Sequence, residues 1–167
     1  MSSQPEVRLY AVSANGAEPL PAPPGGRDVH ELLDDQPLGI YEGLRTFGPA
    51  RFLGLTRHMD RADRSMTLLG WSDRLDRPTL RRALHEAATA WSAGDARVRF
   101  DVLAGPPRRL PTTSRLFLGL SPHDEPSGEV LRDGVRVGIA RDKHRERPRI
   151  KQARWVIERR GTGPDRA

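Results

Sequence analysis

The sequence predicts an α+β fold, because segments in which apolar residues alternate flank two segments in which they recur with a helical period. The chain has 167 residues, of which 36% are hydrophobic, and this is enough for one domain or slightly more. A predicted sheet is covered by two predicted helices. The strands are predicted near 7–12, 40–47, 51–53, 97–103 and 115–120, and the helices near 56–69 and 78–93.

The N-terminal part begins with a strand at 7–12, whose residues alternate, followed by an Asn15-Gly16 turn. Residues 19–27 are rich in proline and glycine. Proline removes backbone donors and glycine adds conformational entropy, so this stretch is predicted to be a loop without regular structure.

The next strand, 40–47, presents two faces. One face carries Tyr41 and Arg45, which could therefore point into one cavity, while residues on the other face pack elsewhere. Gly48-Pro49 is predicted to turn the chain, and 51–53 is predicted to return as a short partner strand.

Two helices follow this hairpin. In 56–69 the apolar residues form one stripe, with Thr56 as the predicted cap at the start and Gly70 at the end. A second, polar face of this helix carries His58, Arg61 and Ser65. The helix at 78–93 has Pro78 in its first turn, where proline is favoured.

The later strands have one apolar and one polar face, and the polar face of 97–103 carries Arg99 and Asp101. A polar, proline-containing link at 122–128 predicts a boundary between two domains, 1–122 and 129–167. The last clear alternation beyond this link is Val135, Val137 and Ile139.

Arginine dominates the positive charge, since 26 of the 28 basic residues are arginine and the other two are Lys143 and Lys151. The net charge is +6, but the arginines are scattered and interleaved with acids, which indicates a compositional bias more than a nucleic-acid surface. A small basic module that binds polyanions through the run 141–160 is the alternative from another functional class. An arginine cannot form a Schiff base, so the two lysines are the informative cations.

Several kinds of chemistry lack their sequence signals. The absence of cysteine excludes disulfides, thiolate metal sites and cysteine nucleophiles, and no GxGxxG, P-loop, HExxH or GxSxG motif occurs, so no metal site is expected. No stretch approaches the ~18 apolar residues of a membrane span, and no secretory leader is recognisable. A cytoplasmic protein is therefore expected.

Four ordered blocks resemble the class IV pyridoxal-phosphate aminotransferases. The strand from Gly39 to Phe47 fits G-x-[YF]-E-x-x-R-x-[YF], and the helix carries the pattern H-x-x-R-x-x-x-S from His58 to Ser65. The remaining two blocks are Val98–Phe100 and one segment that comprises Gly134–Val137, Arg141 and Arg147–Lys151. The family includes branched-chain and D-amino-acid aminotransferases and aminodeoxychorismate lyases.

The resemblance implies a fold-type IV, pyridoxal-phosphate-dependent enzyme of amino-acid metabolism. Such an enzyme transfers an amino group between an amino acid and a 2-oxo acid, and it is a homodimer. Lys151 then stands at the Schiff-base lysine and Arg61 at the arginine that binds the cofactor phosphate. Tyr41 corresponds to a substrate-pocket aromatic residue, and Arg99 and Arg108 could meet a substrate carboxylate.

The local sequence agrees with the role of Lys151, because nearby arginines create a positive field that favours its neutral amine. These arginines are Arg147, Arg149, Arg154, Arg159 and Arg160. Lys143 matches no position of the family pattern and is expected to face solvent.

The sequence also departs from the family pattern. Only 16 residues follow Lys151, so residues 129–167 are expected to be the truncated start of the second domain, and cofactor retention and turnover by the chain alone are expected to be weak or absent. Val156 stands where branched-chain members have a tyrosine, which disfavours that subgroup. A lyase of the aminodeoxychorismate type remains an alternative.

Overall fold

The computed structural model describes residues 7–21, 33, 36–37, 39–138 and 145–158. The strands in these ranges are β1 (Arg8–Ser13), β2 (Gly16–Leu20), β3 (Ile40–Arg45), β4 (Ala96–Val102) and β5 (Leu116–Pro122). The helices are α1 (Leu55–Leu68), α2 (Arg77–Ala90), α3 (Gly128–Asp133) and α4 (Arg154–Glu158). The five strands form one antiparallel sheet in the order β2-β1-β5-β4-β3. The predicted α+β fold is confirmed.

The main core lies between α1, α2 and one face of the sheet. Met59 and Met66 of α1 pack with Leu80 and Leu84 of α2 and with Phe100 of β4, and each is at most 2% exposed. These side chains belong to the stripes that the sequence predicted, so the helical period located the buried face of both helices. Full burial of one such side chain contributes about 2 kcal/mol.

Strand β2 corrects the prediction that 19–27 has no regular structure. Pro19 lies in β2 opposite Tyr10 of β1. Proline is tolerated there because β2 is at the edge of the described sheet, where no other described strand needs its missing N–H group. Residues 22–27 of the predicted loop lie outside the described residues.

The predicted strand at 51–53 is also wrong. Phe52 makes a single bridge to Thr46, and the backbone of Phe47 bonds to that of Arg51 across the turn, but no ladder continues. Helix α1 begins at Leu55 with Gly54 in the cap position at φ 67°, so the predicted cap at Thr56 is wrong by two residues. Gly70 follows the end of α1 with φ 76°, as its predicted role at the C-terminus requires.

The start of α2 is held by a side-chain cap. Asp76 accepts a hydrogen bond from the backbone N–H of Thr79 at 3.1 Å, and Pro78 lies in the first turn. The hydrogen bonds from Thr79 lower the pKa of Asp76 below its ordinary value. Its stabilising contribution is therefore present above the unfolded-state pKa of about 3.9 and is lost as the pH falls through the lower folded-state pKa.

Replacing Asp76 with Ala is expected to lower the melting temperature at pH 7, because the first turn of α2 loses its cap. The difference from the wild type should shrink as the pH falls below the ordinary carboxyl range and the native carboxylate becomes protonated. Thermal unfolding followed by circular dichroism measures both effects, with Asp124→Ala in the exposed link as the control. A difference that stayed constant between pH 7 and acid would contradict the assigned role of the charge.

Of the predicted link 122–128, residues 123–127 have no regular structure, Pro122 ends β5 and Gly128 begins α3, and the domain boundary stays a prediction. Gly128–Asp133 forms α3, and residues 134–138, the described part of the alternation beyond the link, form no strand. Val135 and Val137 are 66% and 85% exposed, and no described strand lies beside them to form a ladder. Ile139 and Arg141 lie outside the described residues.

The segment 145–158 returns to the sheet, where Ile150 joins the main core and Ala153 and Val156 pack against Tyr41. Among the described residues, no helix is both long enough and apolar enough to cross a membrane.

Candidate active site

The backbone of Lys151 is attached to the free edge of β3. The Tyr41 N–H donates to the Lys151 carbonyl at 3.0 Å, and the Ala153 N–H donates to the Gly39 carbonyl at 2.9 Å. On its other side, the Lys151 N–H donates to the buried Ser65 hydroxyl of α1 at 3.3 Å. The lysine is therefore held between the sheet and α1, which also carries Arg61 one turn before Ser65.

The side chain of Lys151 lies at the aromatic ring of Tyr41, with Nζ 5.1 Å from the ring centroid. Tyr41 is 8% exposed and packs with Ala153 and Val156. The guanidinium of Arg99 approaches the same ring, with Cζ 4.7 Å from the centroid. Three predicted site residues, Lys151, Tyr41 and Arg99, are thus brought together.

Arg99 is engaged by its neighbour on β4. Its Nε and Nη2 donate to the two carboxylate oxygens of Asp101 at 2.7 and 2.5 Å, and both side chains are buried. Burial raises the pKa of the Asp101 carboxyl, and the adjacent Arg99 charge opposes that shift.

Arg61 forms a second cluster with Glu42 and His58. Glu42 is fully buried and accepts from Arg61 Nε at 2.7 Å, from Arg61 Nη2, and from His58 Nδ1 at 2.9 Å. Nδ1 of His58 also lies 3.3 Å from Arg61 Nη2, so the imidazole contacts both members of the Glu42–Arg61 pair. The hydrogen bond to Glu42 raises the pKa of Arg61 further, and the guanidinium stays cationic.

The side chain of Arg61 nevertheless keeps 41% of its surface exposed. Glu42 binds Nε and Nη2 of Arg61, so the N–H groups on the other side of the guanidinium can donate to an anion.

Arg45 and Arg108 are not brought to the Tyr41 ring. Arg45 shares the Tyr41 face of β3, as predicted, but its guanidinium contacts His123 at 2.5 Å and the Phe47 ring at 4.1 Å. Arg108 is exposed in its loop, where its backbone N–H and carbonyl bond to the Gln36 side chain at 2.8 and 2.9 Å.

A polar groove of about 590 Å³ lies beside Lys151 and is lined by Gln152, Trp155 and charged side chains. Arg154 in this groove pairs with Glu158 at 3.0 Å, and Arg145 lies 5.4 Å from the Trp155 ring. Lys143, Arg159 and Arg160 lie outside the described residues, so their expected positions stay predictions.

Sequence reasoning assigned no function to Glu42 or Asp101. The signal for Glu42 was an acidic residue on the apolar face of a strand, between Ile40 and Leu44. The signal for Asp101 was its position two residues after Arg99, on the same face of one strand.

Comparison with known proteins gives a consistent fold. The chain is similar to a hypothetical aminotransferase from Mycobacterium tuberculosis in its PLP-bound form, with 21% identity, a TM-score of 0.51, and coverage of 70% of this chain and 40% of that chain. The apo form gives 19% identity, a TM-score of 0.53, and coverage of 75% and 42%. A protein of Thermotoga maritima assigned as a branched-chain amino acid aminotransferase gives 17% identity and a TM-score of 0.52, with coverage of 74% of this chain and 40% of that chain.

These similarities show the fold, and the chain spans about 40% of the length of those proteins. A search of curated proteins finds no match. The sequence profile of the amino-transferase class IV family matches residues 39–158, which is more than half of the chain and includes the strand, the helix and the lysine described above. This chain belongs to the amino-transferase class IV family.

Proposed function

We propose that this chain provides the reacting lysine and the phosphate-binding arginine of a pyridoxal-phosphate-dependent aminotransferase. Its reaction transfers an amino group between an amino acid and a 2-oxo acid. The observation that carries the proposal is the attachment of Lys151 to the edge of β3, with its amine at the Tyr41 ring and Arg61 on the adjoining helix. The family implies the same cofactor.

The residues fit this cofactor. A primary amine is the group that condenses with an aldehyde, and a half-exposed guanidinium suits a phosphate. Bound pyridoxal phosphate supplies an electron-withdrawing ring that stabilises negative charge on the substrate carbon. Lys151 and Arg61 would hold the two ends of the molecule.

Each residue then has a defined task. In its neutral form, Nζ of Lys151 accepts a proton from the substrate carbon and later returns it. The ring of Tyr41 forms an aromatic wall beside that amine and limits its access to water. Glu42 holds the Arg61 guanidinium in one orientation, which reduces the entropy lost when an anion binds.

Arg99 and Arg108 stay predictions as ligands of a substrate carboxylate. At Arg99, a carboxylate has to share the guanidinium with Asp101. At Arg108, the side chain is exposed and has to turn towards the site. An aminodeoxychorismate lyase would use the same lysine and arginine, and analysis of the reaction products distinguishes it from an aminotransferase.

Replacing Arg61 with Ala is expected to weaken pyridoxal-phosphate binding by about 1.5–3 kcal/mol, the scale of a charged hydrogen bond, while Lys151 still reacts. The measurement is the cofactor concentration that gives half-maximal labelling after borohydride reduction. Arg64→Ala is the matched control, because Arg64 is exposed on the same helix. Equal half-saturation in both variants would contradict the phosphate role of Arg61.

We also expect a cytoplasmic homodimer that works in amino-acid metabolism. Exposed apolar residues support self-association, since Leu53, Leu131 and Val137 are 75%, 72% and 85% exposed. Sedimentation equilibrium is expected to show association that increases with protein concentration, and replacement of Leu131 and Val137 by Ser should weaken it. A single monomeric species at the highest concentration would contradict this expectation.

A further inference from the structure

Two cations share the ring of Tyr41. Arg99 Cζ and Lys151 Nζ lie 4.7 and 5.1 Å from its centroid, so the two charges are within about 10 Å of each other, the Debye length at 0.1 M salt. Either cation is attracted by the ring, but the two charges repel each other. The arrangement therefore needs a nearby negative charge.

Asp101 supplies that charge. It lies opposite Tyr41 in the register of β3 and β4, and it binds Arg99 through both carboxylate oxygens. Asp101 and Arg99 are 2% and 6% exposed, so water screens their charges little. The pair presents no net charge to Lys151, although it contains an arginine.

The elements next to Lys151 carry other charged groups. Helix α1 contributes Arg61 and His58, both bonded to Glu42 of β3. The segment around the lysine contributes Arg145, Glu146, Arg147, Arg149, Arg154 and Glu158. These groups carry an excess of positive charge. Loss of the Asp101 carboxylate would add the charge of Arg99 to that excess.

We propose that Asp101 is a positioning residue for the Lys151 amine: by neutralising Arg99, it allows both cations to occupy the Tyr41 ring. The proposal rests on the proposed function only in taking Lys151 as the reacting amine. Asp101 itself touches Arg99 and acts on Lys151 through it.

The chain contains a matched control on its surface. Asp73 pairs with Arg115 at 2.8 Å, and the Arg115 guanidinium lies 5.4 Å from the ring of Trp71. Asp73, Arg115 and Trp71 are thus arranged in the same order as Asp101, Arg99 and Tyr41. No lysine of the described residues approaches the Trp71 ring.

The two lysines of the chain make a direct measurement simple. Reductive methylation with ¹³C-formaldehyde gives signals for Lys143, Lys151 and the N-terminal amine, and Lys143→Arg assigns the lysine signals by elimination. The pH titration of the Lys151 signal is recorded on the full chain without pyridoxal phosphate. Tyr41→Leu should move this signal downfield because the ring current is lost.

We expect Asp101→Asn to lower the titration midpoint of Lys151 by about half a pH unit, because the Arg99 charge within about 10 Å of Nζ is then no longer neutralised. Arg99→Gln should raise the midpoint, because the Asp101 carboxylate is then no longer neutralised by Arg99 and favours the protonated amine. If Asp101→Asn does not fold, Arg99→Gln tests the proposal. Asp73→Asn should leave the midpoint unchanged. No shift in the folded Asp101 and Arg99 variants, a shift of the wrong sign, or an equal shift in Asp73→Asn would overturn the proposal.

Failure of this proposal and failure of the proposed function give different results. Covalent labelling by pyridoxal phosphate tests whether Lys151 is the reacting amine, and it does not depend on the midpoint measured without cofactor. Normal labelling with an unchanged midpoint overturns the role of Asp101 alone.

Discussion

Replacement of Lys151 by Arg is expected to abolish covalent attachment of pyridoxal phosphate at residue 151. The substitution keeps a positive charge at the edge of β3, but a guanidinium stays protonated and does not condense with an aldehyde. The backbone bonds of residue 151 to Tyr41 and Ser65 do not depend on the side chain, so the fold should survive. The measurement is borohydride reduction at saturating cofactor, followed by mass spectrometry of the intact chain.

Lys143→Arg is the matched control, because it removes the only other lysine of the chain. We expect it to keep the label, and peptide mapping should place that label on Lys151. A label that peptide mapping places mainly on Lys143, or one of undiminished amount in Lys151→Arg, would show that the site has been assigned to the wrong residue. Sequence-independent binding of nucleic acid with a steep salt dependence would instead favour the polyanion-binding alternative.

Replacement of Asp101 by Ala is expected to destabilise the folded chain by about 3–5 kcal/mol, because it leaves the charge of Arg99 in a buried site without this carboxylate. Small domains have unfolding free energies of only about 5–15 kcal/mol, so this is a large part of the total. Urea unfolding followed by circular dichroism measures the change in the free energy of unfolding.

Asp73→Ala is the control for this prediction. The Asp73–Arg115 pair is exposed, with 59% of the Asp73 side chain accessible, and such pairs contribute about 0–1 kcal/mol. Equal destabilisation by the two substitutions would contradict the importance of burial. The comparison separates the effect of burial from the effect of losing an aspartate–arginine pair.

The positions of the two long helices could be predicted because each has a stripe that only one face of a helix can bury. Leu80, Ala83 and Leu84 of α2 recur at helical spacing, and all three are buried in the core. Strand β4 was predictable for a similar reason, since Val98 and Phe100 alternate with polar residues. Local periodicity carries this information whatever the neighbouring element is.

Strand β2 could not be predicted in the same way. Pro19 disfavours a strand in the interior of a sheet, and whether β2 is at an edge depends on the order of all five strands. The prediction of a strand at 51–53 failed in the opposite way. Its residues have strand-like composition, but Phe52 forms only one bridge, so no ladder forms.

The sequence by itself determined the two helices and most of the sheet, because these depend on local period and residue type. The choice of Lys151 over Lys143 rests on motif order and stays a prediction. The tertiary structure alone decided which charges meet: Glu42 with Arg61, and Asp101 with Arg99 beside the ring that also holds Lys151. Sequence patterns identify the residues that can carry charge. The balance between desolvation and attraction is set by the three-dimensional distances between charges and by their burial, which no one-dimensional pattern contains.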